Sequence, residues 1–173
     1  MLKCKVNTRE FQDAITKLDK IIDNKTRLNV LKGIKLTADS GRLELIASDL
    51  KNYVTAVVDD VGIESEGSVV IMNIKEIMKA FKFMKEWQTK IEIIKDEITI
   101  TNGSRNIKMK CITAEEFPNS DKVGEVISRY TYNTKSLYNR IKKVDYAMSK
   151  DEIRPTLTGI NFDGSDMVTL DGY

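Results

Sequence analysis

The sequence predicts an α+β protein in which each domain is a duplicated strand–helix–three-strand unit, with helices on one face of antiparallel sheets. Three observations predict this. First, residues 6 to 34 reappear without a gap 126 positions further along the chain. Val6-Asn7-Thr8-Arg9-Glu10-Phe11 is answered by Tyr132-Asn133-Thr134-Lys135-Ser136-Leu137, and Leu31-Lys32-Gly33-Ile34 by Leu157-Thr158-Gly159-Ile160. Such an offset is the size of a domain and far too long for a solenoid repeat. Second, the hydrophobic period changes from 3.6 towards 2 after each helical segment. Third, Asn7, Asn73 and Asn133 each follow a short apolar run and stand 66 and 60 residues apart, which divides the repeating domain into two half-units.

Taken in order, Leu2–Val6 reads as a strand and Asn7 as the N-cap of the first helix, with Glu10 three residues on completing a capping box. That helix is expected to bury Phe11, Ala14, Ile15, Leu18, Ile21 and Ile22, which recur at helical spacing. Strands follow over Leu31–Thr37, Arg42–Ser48 and Tyr53–Val61, with Asp39-Ser40-Gly41 as a turn. The second half opens with a strand at Val69–Met72. Asn73 and Glu76 repeat the cap before a helix that buries Ile74, Ile77, Met78, Phe81 and Met84. Strands over Lys90–Ile94, Glu97–Asn102 and Arg105–Ile112 complete a domain of eight strands and two helices. Arg129–Tyr132 is expected to be the first strand of a second copy, followed by a helix burying Leu137, Ile141, Val144 and Met148, and by strands at Gly159–Asp163 and Met167–Leu170. The polar, Pro118-containing stretch Glu115–Gly124 marks the boundary. The division is a first domain over 1–120, a linker over 121–126 and an incomplete second domain over 127–173.

Composition narrows the function. Apolar content of 41% and charged content of 31% fit a water-soluble globular chain, and no apolar run approaches the ~18 residues that span a bilayer. The opening Met1-Leu2-Lys3-Cys4-Lys5-Val6 lacks the apolar core of a secretion signal, so a cytoplasmic location without membrane contact is expected. Histidine is absent, which removes the commonest general base and metal ligand. Cys4 and Cys111 stand far apart in predicted strands and read as free buried thiols. The adjacent carboxylates Asp59-Asp60 and Glu115-Glu116 point to opposite faces of a strand and make poor acid–base pairs. No catalytic residue, metal site or cofactor is expected.

A formal net charge of +2 is too small for tight phosphate binding, so any cationic function depends on local placement. Lys75, Lys79 and Lys82 follow one another at i, i+4 and i+7 on the second helix, opposite its apolar stripe. Lys135, Arg140, Lys142 and Lys143 take the solvent side of the third helix, and Arg9, Lys17 and Lys20 that of the first. One such stripe is an ordinary solvated face. Its recurrence on three equivalent helices describes a mildly cationic surface suited to weak, salt-sensitive contact with phosphates and not to base reading. Asp13, Asp19, Glu86 and Asp145 dilute it, and no aromatics are interleaved for base stacking.

These residues carry a resemblance. Ile112-Thr113-Ala114-Glu115-Glu116-Phe117-Pro118-Asn119 resembles the segment that closes the first domain of the bacterial DNA polymerase III beta subunits, the sliding clamps. Arg154-Pro155-Thr156-Leu157-Thr158-Gly159-Ile160-Asn161-Phe162 is similar to the opening of that family's central domain after its first helix. Thr169-Leu170-Asp171-Gly172-Tyr173 resembles its Asp-Gly-His-Arg-Leu segment, with Tyr173 in the His position. The resemblance implies the DNA clamp fold, three such domains per subunit, and a head-to-tail homodimeric ring whose helices line a hole for double-stranded DNA. DNA would be held topologically and without sequence preference.

By the same resemblance Lys75, Lys79, Lys82, Arg140, Lys142 and Lys143 face DNA, and Lys25 with its neighbour Arg27 forms a basic loop contact. Arg154, Leu157, Leu170, Gly172 and Tyr173 correspond to part of a pocket that takes short linear motifs of the replicative polymerase and clamp-loader subunits. Leu157 also has the plain reading of a core residue, since Leu31 is its equivalent, and Gly172 that of a turn glycine. The implied function is a non-catalytic processivity factor of DNA polymerase III, classed with the nucleotidyltransferase it serves, of which this chain is a truncated portion. Two other readings are a clamp-derived peptide-binding module that does not encircle DNA, and an enzyme on a duplicated scaffold, which the missing histidine disfavours.

Overall fold

In a computed structural model that describes residues 1–22, 24–119 and 129–172, the chain divides into two units, Met1–Asp121 and Lys122–Tyr173. The first unit runs β1 (Leu2–Asn7), α1 (Thr8–Leu18), a 3-10 turn (Asn29–Lys32), β2 (Ile34–Asp39), β3 (Arg42–Ser48), β4 (Tyr53–Val58), β5 (Gly62–Ser65) and β6 (Gly67–Ile71). It continues with α2 (Ile74–Phe81), β7 (Gln88–Ile94), β8 (Glu97–Asn102) and β9 (Arg105–Thr113). Nine strands follow one another in the order β4-β3-β2-β6-β9-β8-β7-β1-β5, every neighbouring pair antiparallel.

The order shows how the halves join. β2-β3-β4 and β7-β8-β9 are meanders, and the first strand of each half bridges to the other: β1 lies between β5 of its own half and β7 of the second, and β6 between β2 of the first half and β9 of its own. β1 pairs with β7, from Leu2↔Ile93 to Asn7↔Gln88, and β6 pairs with β2, from Ile34↔Ile71 to Ala38↔Gly67. The strand expected over Tyr53–Val61 ends at Val58, because Asp60 turns the chain at φ 55. β5 then adds to the free side of β1, so the unit has nine strands and not eight. β4 and β5 lie at opposite ends of the strand order yet are linked only by residues 59–61. The sheet therefore curls until its ends approach within about 15 Å.

α1 and α2 close the inside of this curl. Phe11, Ala14, Ile15 and Leu18 of α1 and Ile74 and Ile77 of α2 are buried against Leu36, Leu43, Leu45, Ile71, Ile91 and Ile98. Ile21, Ile22, Met78 and Phe81 pack at the margin, half-buried. The rings of Phe11 and Phe81 meet edge to face at 6.1 Å, tying the helices together. Each fully buried Leu, Ile or Phe contributes about 1.5–3 kcal/mol, so this shared core is the main cohesion between the halves. Alternation puts Val70 on the other side of β6, where it joins Val30, Leu31 and Phe117 in a smaller cluster. Leu31 thus lies in the 3-10 turn ahead of β2, not in the strand.

Asn7 caps α1 as expected: its Oδ1 accepts from the N–H groups of Arg9 (2.9 Å) and Glu10 (3.2 Å). Asn133 does the same for the N–H groups of Lys135 and Ser136. Asn73 does not. It adopts the left-handed conformation (φ 55, ψ 42), which turns its side chain away from the helix, and only its carbonyl accepts from Glu76 N–H at 2.8 Å. A tight joint between β6 and α2 takes the place of the capping box.

A buried amide organises the end of the helix pair where α1 begins and α2 has finished. Asn102 donates through Nδ2 to Glu86 O (2.9 Å), Gln88 O, Thr8 Oγ1 and Thr89 Oγ1 (each 3.1 Å), and its Oδ1 accepts from Glu86 N–H at 3.0 Å. Thr8 and Thr89 hydroxyls share a further bond of 2.9 Å. Among the described residues no buried side-chain nitrogen or oxygen lacks a partner.

The second unit holds α3 (Thr134–Val144), 3-10 turns at Asp145–Ala147 and Pro155–Leu157, and a hairpin of β10 (Asn161–Asp163) and β11 (Asp166–Val168). Arg129–Tyr132, expected as a strand, has no ladder partner among the described residues and is not one. Its equivalent β1 is a strand because β5 and β7 flank it. Leu137, Ile141, Val144 and Met148 are half-buried, not buried, since among the described residues no second helix lies over α3 as α2 lies over α1. The repeated glycines show the same contrast. A Cβ on Gly33 would collide with the Ile71 carbonyl, Val70 and Met72, whereas one on Gly159 would meet nothing within 4 Å. The linker expected at 121–126 lies outside the described residues. No described helix is long and apolar enough to cross a membrane.

Two outcomes test this account. Asn102→Ala strands the carbonyls of Glu86 and Gln88 and lowers unfolding free energy by about 2–3 kcal/mol; urea denaturation reads this as a lower midpoint at unchanged slope. Burial pushes the Cys4 thiol up to about 12. At about pH 8 it stays protonated and escapes iodoacetamide in the native chain but not in the unfolded one, as intact mass will record.

Candidate nucleic-acid interface and peptide pocket

Because the core takes one side of each helix in the first unit, the other side is left to charge. Lys75, Lys79 and Lys82 are all exposed. Lys75 and Lys79 line one cleft of about 350 Å3 with Lys32, beside Asp19, Asn24 and Glu76. Lys82 stands at the C-cap of α2, outside that lining. Lys32 has no place in the helical pattern, and sequence reasoning missed it. Its Nζ reaches Asn29 Oδ1 at 3.3 Å from the turn that precedes β2. Two carboxylates among three ammoniums keep the cleft weakly cationic. Lys25 and Arg27 are placed in the connection between α1 and that turn, where Thr26 Oγ1 holds Leu28 N–H at 3.3 Å.

In the second unit Lys135, Arg140 and Lys143 share a shallow cleft of about 420 Å3 with Asn133, Ser136 and Asn139. Arg140 is not a loose cation: its Nη1 donates to Ser165 O at 2.9 Å, anchoring α3 to the β10–β11 turn. Lys142 turns to Asp145 (2.9 Å), and that hydrogen bond holds its ammonium pKa above the ordinary lysine value. The charge expected of Lys142 is therefore answered in part by the residue that caps the end of its helix.

Of the expected peptide-pocket residues, the structure brings three together. Gly172 sits at φ 88, where a Cβ would come within 2.9 Å of Arg154 Nη1 and 3.3 Å of Leu157 Cδ1. This close approach and the left-handed backbone both demand glycine. Arg154 is aimed by Asp151, whose Oδ2 accepts from Nε at 3.1 Å. Leu157 is half-buried where Leu31 is fully buried, so it shows an apolar edge, and Leu170 is exposed. Tyr173 lies outside the described residues. The arrangement offers apolar surface beside a guanidinium, suited to a hydrophobic side chain followed by an acidic group.

Among the exposed aromatics that escaped the sequence reading are Phe83 and Trp87. Phe83 (56% exposed) stacks under Arg105, 5.2 Å from ring centre to guanidinium, over a cleft of about 160 Å3 with Ala80, Met84 and Ile107. Trp87 is 72% exposed. Both follow α2 in a segment with no periodicity, so pattern alone does not flag them.

Residues 2–121 match the family model described as DNA polymerase III beta subunit, N-terminal domain. A curated beta sliding clamp of Halalkalibacterium halodurans is 27% identical over 164 residues, covering 90% of this chain and 43% of the relative. That of Bacillus subtilis is 25% identical over 171 residues, with 93% and 44% covered. The DNA polymerase III beta subunit of Thermotoga maritima superposes with a TM-score of 0.77 at 28% identity, covering 92% of this chain and 43% of that one. A Bartonella birtlesii sliding clamp bound to griselimycin gives 0.83 at 20% identity, over 99% and 47%, which speaks for the fold alone. The chain spans less than half the length of these relatives. With the model match extending over most of its residues and the fold shared with the solved structures, this chain belongs to the DNA polymerase III beta subunit family.

Proposed function

We propose that this chain is a portion of a sliding clamp, a non-catalytic processivity factor that encircles double-stranded DNA in the cytoplasm and tethers the replicative polymerase. The observation that carries the proposal is the pair of helices packed on one side of a curled sheet, with their lysines turned outward on an otherwise near-neutral protein. A ring that slides gains nothing from tight phosphate contacts. Weak cations at Lys75, Lys79, Lys82, Lys25, Arg27, Arg140, Lys142 and Lys143 suit it, with Lys32 added from the cleft it shares with Lys75. A non-catalytic role is consistent with the burial of Cys4 and Cys111, which disfavours the reactive thiolate at both.

For polymerase and clamp-loader subunits we propose the surface around Arg154, Leu157, Leu170, Gly172 and Tyr173, which would anchor an apolar motif residue. For head-to-tail closure we propose the N-terminal half of β9. β6 covers only Cys111–Thr113, so the β6-facing edge of residues 105–110 has no ladder partner among the described residues, and Phe83 and Ile107 lie beside it.

The decisive test is retention of the polypeptide, as its source makes it, on nicked circular DNA. Retention that ends when the circle is cut is expected; equal retention on linear DNA would overturn a topological grip. K75E/K79E/K82E is expected to shorten residence and to lower the salt slope by roughly one for each phosphate that is no longer neutralised. Phe83→Asp is expected to weaken subunit association by about 2 kcal/mol, read as a shift from dimer to monomer in sedimentation.

A further inference from the structure

Trp87, the only tryptophan of the chain, stands on the connection between α2 and β7 with 72% of its surface exposed. Its backbone has no corresponding freedom. Trp87 O accepts from Thr8 N–H at 2.8 Å, and Asn102 Nδ2 holds the carbonyls on either side, Glu86 O at 2.9 Å and Gln88 O at 3.1 Å. Three successive carbonyls are thus fixed by groups at the start of α1 and the end of β8, while the indole is left outside. An aromatic side chain displayed on a rigid base has little order to lose on binding, the situation in which tryptophan dominates interfaces.

The indole shares a cleft of about 420 Å3 with Val57 on the edge strand β4, itself 51% exposed, and with Lys5, Glu10, Asp59 and Asp60. Three carboxylates face one ammonium. Lys5 lies 3.7 Å from Glu64, and Asp59 binds Arg42 at 2.9 Å; Glu10 and Asp60 have no ion-pair partner among the described residues. Asp60 is held at φ 55, a conformation that Asp tolerates better than most residues. An acidic rim repels phosphate, so the occupant is not nucleic acid, and the cleft is lined by none of the lysines assigned to DNA.

We propose that this cleft docks a cationic segment of a partner protein. A Lys or Arg lies over the indole with its charge between Glu10 and Asp60, and a neighbouring aliphatic residue covers Val57. The assignment is independent of the DNA reading.

Since Trp87 is the sole tryptophan, its emission reports occupancy directly. The full chain is titrated with the peptide acetyl-Arg-Leu-Arg-Leu-Arg-amide and with its counterpart carrying Glu in place of Arg. A saturable change with the Arg peptide and none with the Glu peptide is expected. In E10Q/D60N, which keeps the shape and the left-handed turn, the apparent affinity falls roughly threefold to tenfold, with unchanged thermal unfolding. K75E/K79E leaves the response intact. Equal responses to both peptides, an unaltered response in E10Q/D60N, or no response at about millimolar peptide, the range of a weak contact, would each overturn the proposal.

Discussion

The bridging of the two half-units by their first strands is the constraint on which this structure depends. β1 belongs by sequence to the first half and pairs with β7 of the second, while β6 opens the second half, pairing with β9 of its own half and with β2 of the first. Separating the halves would break both the β1–β7 and the β2–β6 ladder. The core follows the same rule, with Phe11 and Ile15 from one half sealed against Ile77 and Ile91 from the other. Gly33 marks how close the halves come, since even a methyl group there meets the Ile71 carbonyl. The second unit, whose described residues include only one half, has half-buried apolar positions in place of a core.

This arrangement separates stability from surface chemistry. Burial is assigned to the inner sides of α1 and α2, so their outer sides are free to carry whatever charge pattern a partner requires. That freedom explains how a protein with a net charge of only +2 still places Lys32, Lys75 and Lys79 around one cleft. At the other end of the helices the buried Asn102 network holds the chain after α2, so that Trp87 is displayed with most of its surface exposed. The two ends of the helix pair thus have opposite character, cationic and open at one, acidic with an aromatic at the other.

Much of the fold was legible because it rests on periodicity. Arg42–Ser48 and Glu97–Asn102 form strands with the bounds the alternation indicates, and Phe11, Ala14, Ile15 and Leu18 are buried at helical spacing. Backbone-dependent details were not. Asn73 has the same side chain as Asn7 and Asn133 but a left-handed backbone imposed by the way β6 leaves the sheet, and no residue-type rule distinguishes it. The break at Asp60 and the added strand β5 are likewise turn geometry, hidden inside an apolar alternation that runs to Val61. At the interface, helical stripes located Lys75 and Lys79, while Lys32 joins them only through the tertiary path of a 3-10 turn. Arg154, Leu157 and Gly172 were named through family resemblance, and their proximity is a product of the folded turn, not of spacing.

The bridging first strands also set when the sheet can be completed as the chain leaves a ribosome. Leu2 leaves early, but its ladder neighbour Ile93 is 91 residues behind it, and β6, which already has β2, gains its second neighbour only with Cys111–Thr113. Until then α1 and its meander present an unsealed apolar side and open edges, the condition in which nascent chains recruit chaperones or pair wrongly. The ladders β2-β3-β4 and β2-β6 need only residues up to 71, but β1 and the second side of β6 are paired only once residues 93 and 111–113 have been made.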